Sequence, residues 1–167
     1  MFAEHGEYVF RTAYLLSRSQ TIADDITQEV FLRLIGKYHL FDQSKPFRPW
    51  LYRLTVNVAR NLQRKQRWLR LFKQQEQETL PDAQERPTQF TSEREVQLWH
   101  AIEQLSQKCR EVIILHYYQD LRLEEVAYAL QIPLGTCKSR LNAALAKLRL
   151  YMIEEQNERN ERSNVYE

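Results

Sequence analysis

The chain has 167 residues, 43% of them hydrophobic, and a formal net charge of only +2, enough to bury a core in one or two domains. No apolar run approaches the roughly eighteen residues of a membrane span, and the acidic N-terminus MFAEHGEYVF lacks the basic start of a signal peptide, so the chain is expected in the cytoplasm. Three Gly and five Pro, with long stretches free of both, point to helix with few tight turns, and Cys109 and Cys137, far apart within apolar patterns, read as buried thiols rather than a disulfide or metal pair.

Residues 7–18, EYVFRTAYLLSR, form the first expected helix, with Val9, Ala13 and Leu16 along one side and Phe10 and Tyr14 beside them. After the break SRSQTI, Thr21 is the expected cap of a second helix, with Asp24 three residues on as the acidic member of the box. In IADDITQEVFLRLIGKY, Ile22, Ile26, Val30 and Leu34 recur every four residues, and Phe31 and Ile35 widen the stripe. The outer face carries Asp24, Asp25, Gln28 and Glu29 early, then Arg33 and Lys37 late. That order suits the helix dipole, and it equally offers a docking face to a basic partner. Gly36 and the aromatic cluster Tyr38, His39 and Phe41 end the helix and open a loop, HLFDQSKPFRP.

The stretch Ser44 to Lys73, SKPFRPWLYRLTVNVARNLQRKQRWLRLFK, holds nine basic residues and no Asp or Glu. Leu51, Leu54, Val58 and Leu62 make one apolar stripe, while Arg53, Asn57, Arg60 and Arg64 recur on another face. Ser44 suits a cap, and Pro46 and Pro49 suit a lead-in loop and first turn, so a helix is expected from about Pro49 to Arg70. The ordinary reading of such a run is a solvated basic face. Surface helices mix their charges, however, and a run without one acid points to a polyanion. Arg donors hold phosphates, Asn reads base edges, and aromatics such as Trp50, Tyr52 and Trp68 stack on unpaired bases.

Residues 74–92 are polar and net acidic, carry Pro81 and Pro87, and show no stripe, which predicts a flexible linker. Periodicity returns with EREVQLWHAIEQL, then a second helix over Ser106 to Gln119, then LEEVAYALQI, broken at Pro133. Thr136 is the expected cap of TCKSRLNAALAKLRLYMI, whose stripe is Cys137, Leu141, Leu145 and Leu148. Its outer positions carry Lys138, Ser139, Arg140, Asn142, Lys147 and Arg149, with no acid before Glu154. A short helix, a short turn and a longer basic helix make a helix-turn-helix, a shape that enters the major groove. The charged tail 154–167 is expected to fray. The fold class is all-α: a first domain over 1–73, the linker, and a helix-turn-helix, winged-helix-like domain over 93–153.

Four stretches in this order, ADDITQEVFLRL, FRPWLYRLTVNVARN, the linker, and LSQKCREVIILHYYQDLRLEEVAYALQIPLGTCKSRLNAALAKLR, resemble the extracytoplasmic-function sigma factors of the sigma-70 family. The resemblance implies a promoter-specificity subunit of RNA polymerase, with no catalysis and no cofactor. It implies that Asp24, Asp25, Gln28 and Glu29 dock on the β′ clamp of core polymerase. It places Lys45, Arg48, Arg53, Asn57, Arg60 and Arg64 on the −10 element, where a base leaves the stack for a pocket beside the loop and Asn57 contacts it. Trp50 is read as an anchor of that loop rather than a melting wedge. Thr136, Lys138, Ser139, Arg140 and Asn142 are implied at the −35 element, with Lys138, Ser139 and Asn142 facing bases and Arg140 near phosphate. The second domain is implied to rest on the β flap, and a negative regulator, an anti-sigma factor, is implied as a further partner.

Gln131 stands where the family often has Gly; a left-handed non-Gly residue costs about 1 kcal/mol, so the turn is either reshaped or strained. Ala143 and Leu145 stand where the family often has Arg, which removes possible contacts to the −35 DNA. The alternative, a free-standing helix-turn-helix regulator, explains residues 106–149 but leaves the acid-free helix and the acidic face without a role. An enzyme on nucleic acid finds no support: His5, His39, His100 and His116 lack metal spacing, and there is no Gly-rich phosphate loop.

Overall fold

The computed structural model describes residues 2–73 and 92–164. In chain order the helices are α1 (Phe2–Ser17), α2 (Gln20–Lys37), a 3-10 turn (Tyr38–Leu40), α3 (Phe47–Lys73), α4 (Glu93–Glu103), α5 (Gln107–Ile113) running on as a π-helical turn (Ile114–Tyr118), α6 (Leu123–Leu130) and α7 (Leu134–Asn164). Among the described residues there is no strand, so the helix-turn-helix carries no wing there. The expected linker lies, apart from Ser92, outside the described residues.

Helices α1, α2 and α3 pack on one another as a first unit, and α7 packs against α4, α5 and α6 as a second. The expected stripes supply much of each core: Val9, Ala13 and Leu16 on α1, Ile26, Val30 and Leu34 on α2, Leu51 and Val58 on α3, and Cys137, Leu141 and Leu148 on α7 are buried. Each large aliphatic side chain so removed from water contributes about 1.5–3 kcal/mol.

The starts of several helices differ from expectation. Ser19, not Thr21, caps α2: its extended backbone lets the hydroxyl accept from the Ile22 N–H at 3.4 Å. Ser44 is no cap, because α3 begins at Phe47; its N–H and hydroxyl instead donate to Asp42 Oδ1 at 3.0 and 2.7 Å. Thr136 lies inside the first turn of α7, where its carbonyl accepts from the Ser139 hydroxyl. At α4 Ser92 and Glu95 form a reciprocal capping box. Helix α7 runs on through Glu154 to Asn164, where sequence reading expects fraying.

The two units touch. Helix α6 lies along α3, and the π-helical turn meets α1. Tyr52, read from sequence as facing a nucleic acid, is 1% exposed for that reason.

Candidate nucleic-acid interface

Helix α3 is the scaffold of the site, and the loop before it forms one wall. Phe41, Phe47 and Trp50 meet at ring centroid distances of 4.9 to 5.8 Å, and Tyr38 and His5 pack on Phe47. Trp50 is thus an anchor inside an aromatic cluster that fixes the loop on the helix. Beside it opens a 320 Å³ pocket lined by Lys37, Leu40, Phe41, Asp42, Lys45, Trp50, Arg53, Leu54, Asn57 and Tyr128. The Ser44 hydroxyl, which donates to Asp42, holds that carboxyl below its usual range, so the pocket rim carries one fixed negative charge beside Lys45, 3.7 Å away.

The cations of α3 are not all turned outward, as sequence reading expects. Arg60 grips Glu111 of α5 with Nε and Nη2, at 2.9 and 2.5 Å. Arg48 Nη2 donates to the Gln119 carbonyl at 3.0 Å, and its guanidinium lies 5.6 Å from the Tyr8 ring centroid. The Arg53 guanidinium lies 5.6 Å from the ring of Tyr128 on α6. Arg64 donates to Asn61 at 2.9 Å and stays exposed. The acid missing from the run itself is therefore supplied by the second unit, which sequence patterning within one helix could not reveal.

Between the units lies a second, larger cleft of 580 Å³, bordered by Arg60, Arg64, Arg67, Lys108, Glu111 and Arg140 among others. Arg140 is half-buried and faces this cleft, whereas Lys138, Ser139 and Asn142 are exposed on α7. The turn before α7 is closed by N–H groups of Gln131 and Ile132 on the carbonyls of Tyr128 and Ala127, with Gln131 left-handed at φ 57° and ψ 47°. Of the two alternatives for this turn, the strained one is realised. Cys137 is buried under the turn, and burial pushes its thiol up, away from reactivity.

Residues 1–69 match the family model described as Sigma-70 region 2, and residues 95–148 match Sigma-70, region 4. The chain is 30% identical over 156 residues to the ECF RNA polymerase sigma factor SigL of Mycobacterium tuberculosis, covering 92% of this chain and 88% of that protein. It belongs to the extracytoplasmic-function (ECF) sigma factors of the sigma-70 family. Members of that family are non-enzymatic subunits that direct promoter-specific transcription initiation. The chain is 29% identical to SigE of Mycolicibacterium smegmatis over 93% of its own length, but spans only 61% of that protein. Among solved structures, the sigma factor RpoE of Bartonella quintana, in complex with the anti-sigma factor NepR, shares the fold at a TM-score of 0.76, with 23% identity over 90% of this chain and 93% of that one. CnrH in complex with the cytosolic domain of CnrY aligns at a TM-score of 0.67, with 25% identity over 92% and 85% of the two chains.

In this sigma factor Asp24, Asp25 and Gln28 are exposed on α2, while Glu29 is half-buried and accepts from Arg33 Nε at 2.6 Å. Ile35, expected to widen the buried stripe, is instead 73% exposed, and Leu32 is 67% exposed. The spacing Asp25, Gln28, Leu32, Ile35 puts these residues on one outward face, since Ala23 and Phe31 complete the buried stripe on the other. Leu32 lies off the four-residue repeat, which is a signal in the sequence, but Ile35 stands in the same relation to that repeat as buried Phe31, so spacing alone does not separate those two. Among the described residues no cluster could hold a metal ion, and no helix is long and apolar enough to cross a membrane.

Proposed function

We propose that α3 and the loop before it capture the −10 element as a melted single strand. Lys45, Arg48, Arg53, Arg60 and Arg64 hold phosphates, and Asn57 reads a base displaced into the 320 Å³ pocket. The observation that carries this reading is the pocket itself: an amide at its wall, an aromatic cluster fixing its loop, and a helix without an acidic residue behind it. On α7, Lys138, Ser139 and Asn142 face base edges of the −35 element in the major groove, with Thr136 and Arg140 on the phosphate side. Helix α2 docks on the β′ clamp through Asp24, Asp25, Gln28 and Glu29 around an apolar centre of Leu32 and Ile35, and the second unit rests on the β flap. Residues 74–92 are the proposed linker between the two units.

The chain works in the cytoplasm, and an anti-sigma factor restrains it. That proposal is supported by the anti-sigma complex of its structural relative RpoE. Transcription in vitro with core polymerase and a genomic library identifies the promoter. On that promoter, Asn57→Ala should reduce open-complex formation more than closed binding. Normal permanganate reactivity in the variant holoenzyme would end the assignment.

A further inference from the structure

We infer that the 580 Å³ cleft is a binding site for a nucleoside polyphosphate, with Arg64, Arg67, Lys108 and Arg140 on its phosphates and Ile132 against its base. The inference goes beyond the promoter reading and does not rest on it, because Arg67 and Lys108 have no part in the −10 or −35 contacts proposed above.

The charge of the cleft calls for an anion with several charges. One acidic residue borders it, Glu111, and that carboxylate is already held by the Arg60 fork. The other four cations come from three helices: Arg64 and Arg67 from α3, Lys108 from α5 and Arg140 from α7. None of the four has an acidic partner among the described residues, and Arg64 donates only to a neutral amide, that of Asn61. Like charges set around one hollow repel one another, and an anion placed among them relieves the repulsion. A lone carboxylate fills one guanidinium fork. A short run of phosphates offers enough oxygens for all four side chains.

The size and the remaining wall argue for a small molecule with a base. The volume falls within the range of about 300–1,000 Å³ usual for small-molecule and cofactor sites. The apolar part of the wall comes from the turn before α7, as buried Leu130 and half-buried Ile132. Between them Gln131 is exposed. Its backbone N–H is taken by the Tyr128 carbonyl, so its side-chain amide is the group left to address a base edge. A Gln amide matches the donor and acceptor edge of adenine, which makes ATP the probe.

The test titrates ATP into the full chain by isothermal calorimetry, for wild type, the double variant Arg67→Ala with Lys108→Ala, and Lys65→Ala. Lys65 is an exposed cation of α3 that does not line the cleft, so it reports general attraction to a basic surface. The double variant should bind ATP about tenfold more weakly or worse, as loss of charge-assisted contacts does, with helical circular dichroism unchanged. Lys65→Ala should change affinity less than about twofold. Inorganic tripolyphosphate should bind wild type about tenfold more weakly than ATP, for want of a base to stack. An equal loss in Lys65→Ala and the double variant makes the attraction non-specific and overturns the site. Tripolyphosphate binding as tightly as ATP overturns the nucleoside. No heat of binding with ATP at about 1 mM overturns both, since an affinity weaker than that is no more than about 4 kcal/mol.

Discussion

The Tyr52 hydroxyl donates to Oε1 of Gln119 at 2.7 Å, joining α3 to the residue that follows the π-helical turn, 67 positions away. The π-helical turn and left-handed Asp120 (φ 54°) end this helix so that the Gln119 side chain points into the seam between the units. Extra residues in a helical turn of this kind often mark functional positions. Tyr52→Phe leaves both polar atoms of the Gln119 side chain without a protein partner, which costs about 1–3 kcal/mol if the seam stays shut. The cost is bounded by that of opening the seam to water. A rise in the radius of gyration, with the helical circular dichroism unchanged, is the expected result.

Burial pushes the Tyr52 phenol up from its ordinary value of 10.0, with Arg48 opposing in part. Tyr118 is raised likewise by burial. A group whose folded pKa lies above its unfolded one stabilises fully below the unfolded pKa and loses that contribution as pH rises through the folded one. Stability should therefore be flat up to about pH 10 with respect to these groups and fall above it. Tyr52→Phe should remove part of that alkaline loss, measured by urea unfolding across pH 8 to about 11.

Leu32→Asp and Ile35→Asp should weaken binding to a β′ clamp fragment while leaving the fold intact. Both side chains are exposed, so the change in unfolding free energy should stay within about 0.5 kcal/mol. If the clamp buries them, each loss is about 1.5–3 kcal/mol, or tenfold and more in affinity. Unchanged affinity would remove this face from the docking role.

Gln131→Gly should stabilise the chain. Relief of the left-handed backbone is worth about 1–2 kcal/mol, from which the greater freedom of an unfolded glycine takes back about 0.4–1. A net gain of about 0.5 kcal/mol in urea unfolding is expected. Gln131→Val, which stiffens the same position, should destabilise.

Replacing Lys138 or Asn142 should relax base choice at one −35 position, at about 1–3 kcal/mol per lost bidentate contact. Arg140→Ala should weaken binding evenly across sequences and lower the salt dependence, as loss of a phosphate contact does. Electrophoretic competition between single-base variants of the promoter, using the holoenzyme, separates the two outcomes.

Much of this molecule was legible before its shape was known. The four-residue repeat of Ile26, Val30 and Leu34 and the stripe through Leu51 and Val58 determined helices and their buried sides, because 3.6 residues per turn ties spacing to face. The acid-free run pointed to a negatively charged partner for α3, since surface helices ordinarily mix their charges. The break at Pro133 determined where α7 could start. What met α3 was decided only by the tertiary structure. Glu111, Gln119 and Tyr128 come from 51 to 75 positions downstream of their partners Arg60, Tyr52 and Arg53, as the separations of 51 and 67 for the first two pairs show directly. Periodicity within one helix carries no information about contacts across a linker. Leu32 and Ile35 mark the same limit from the other side. Their apolar character was plain, but only the packing of α1 and α3 on the opposite face of α2 decided that water, or a partner, would cover them.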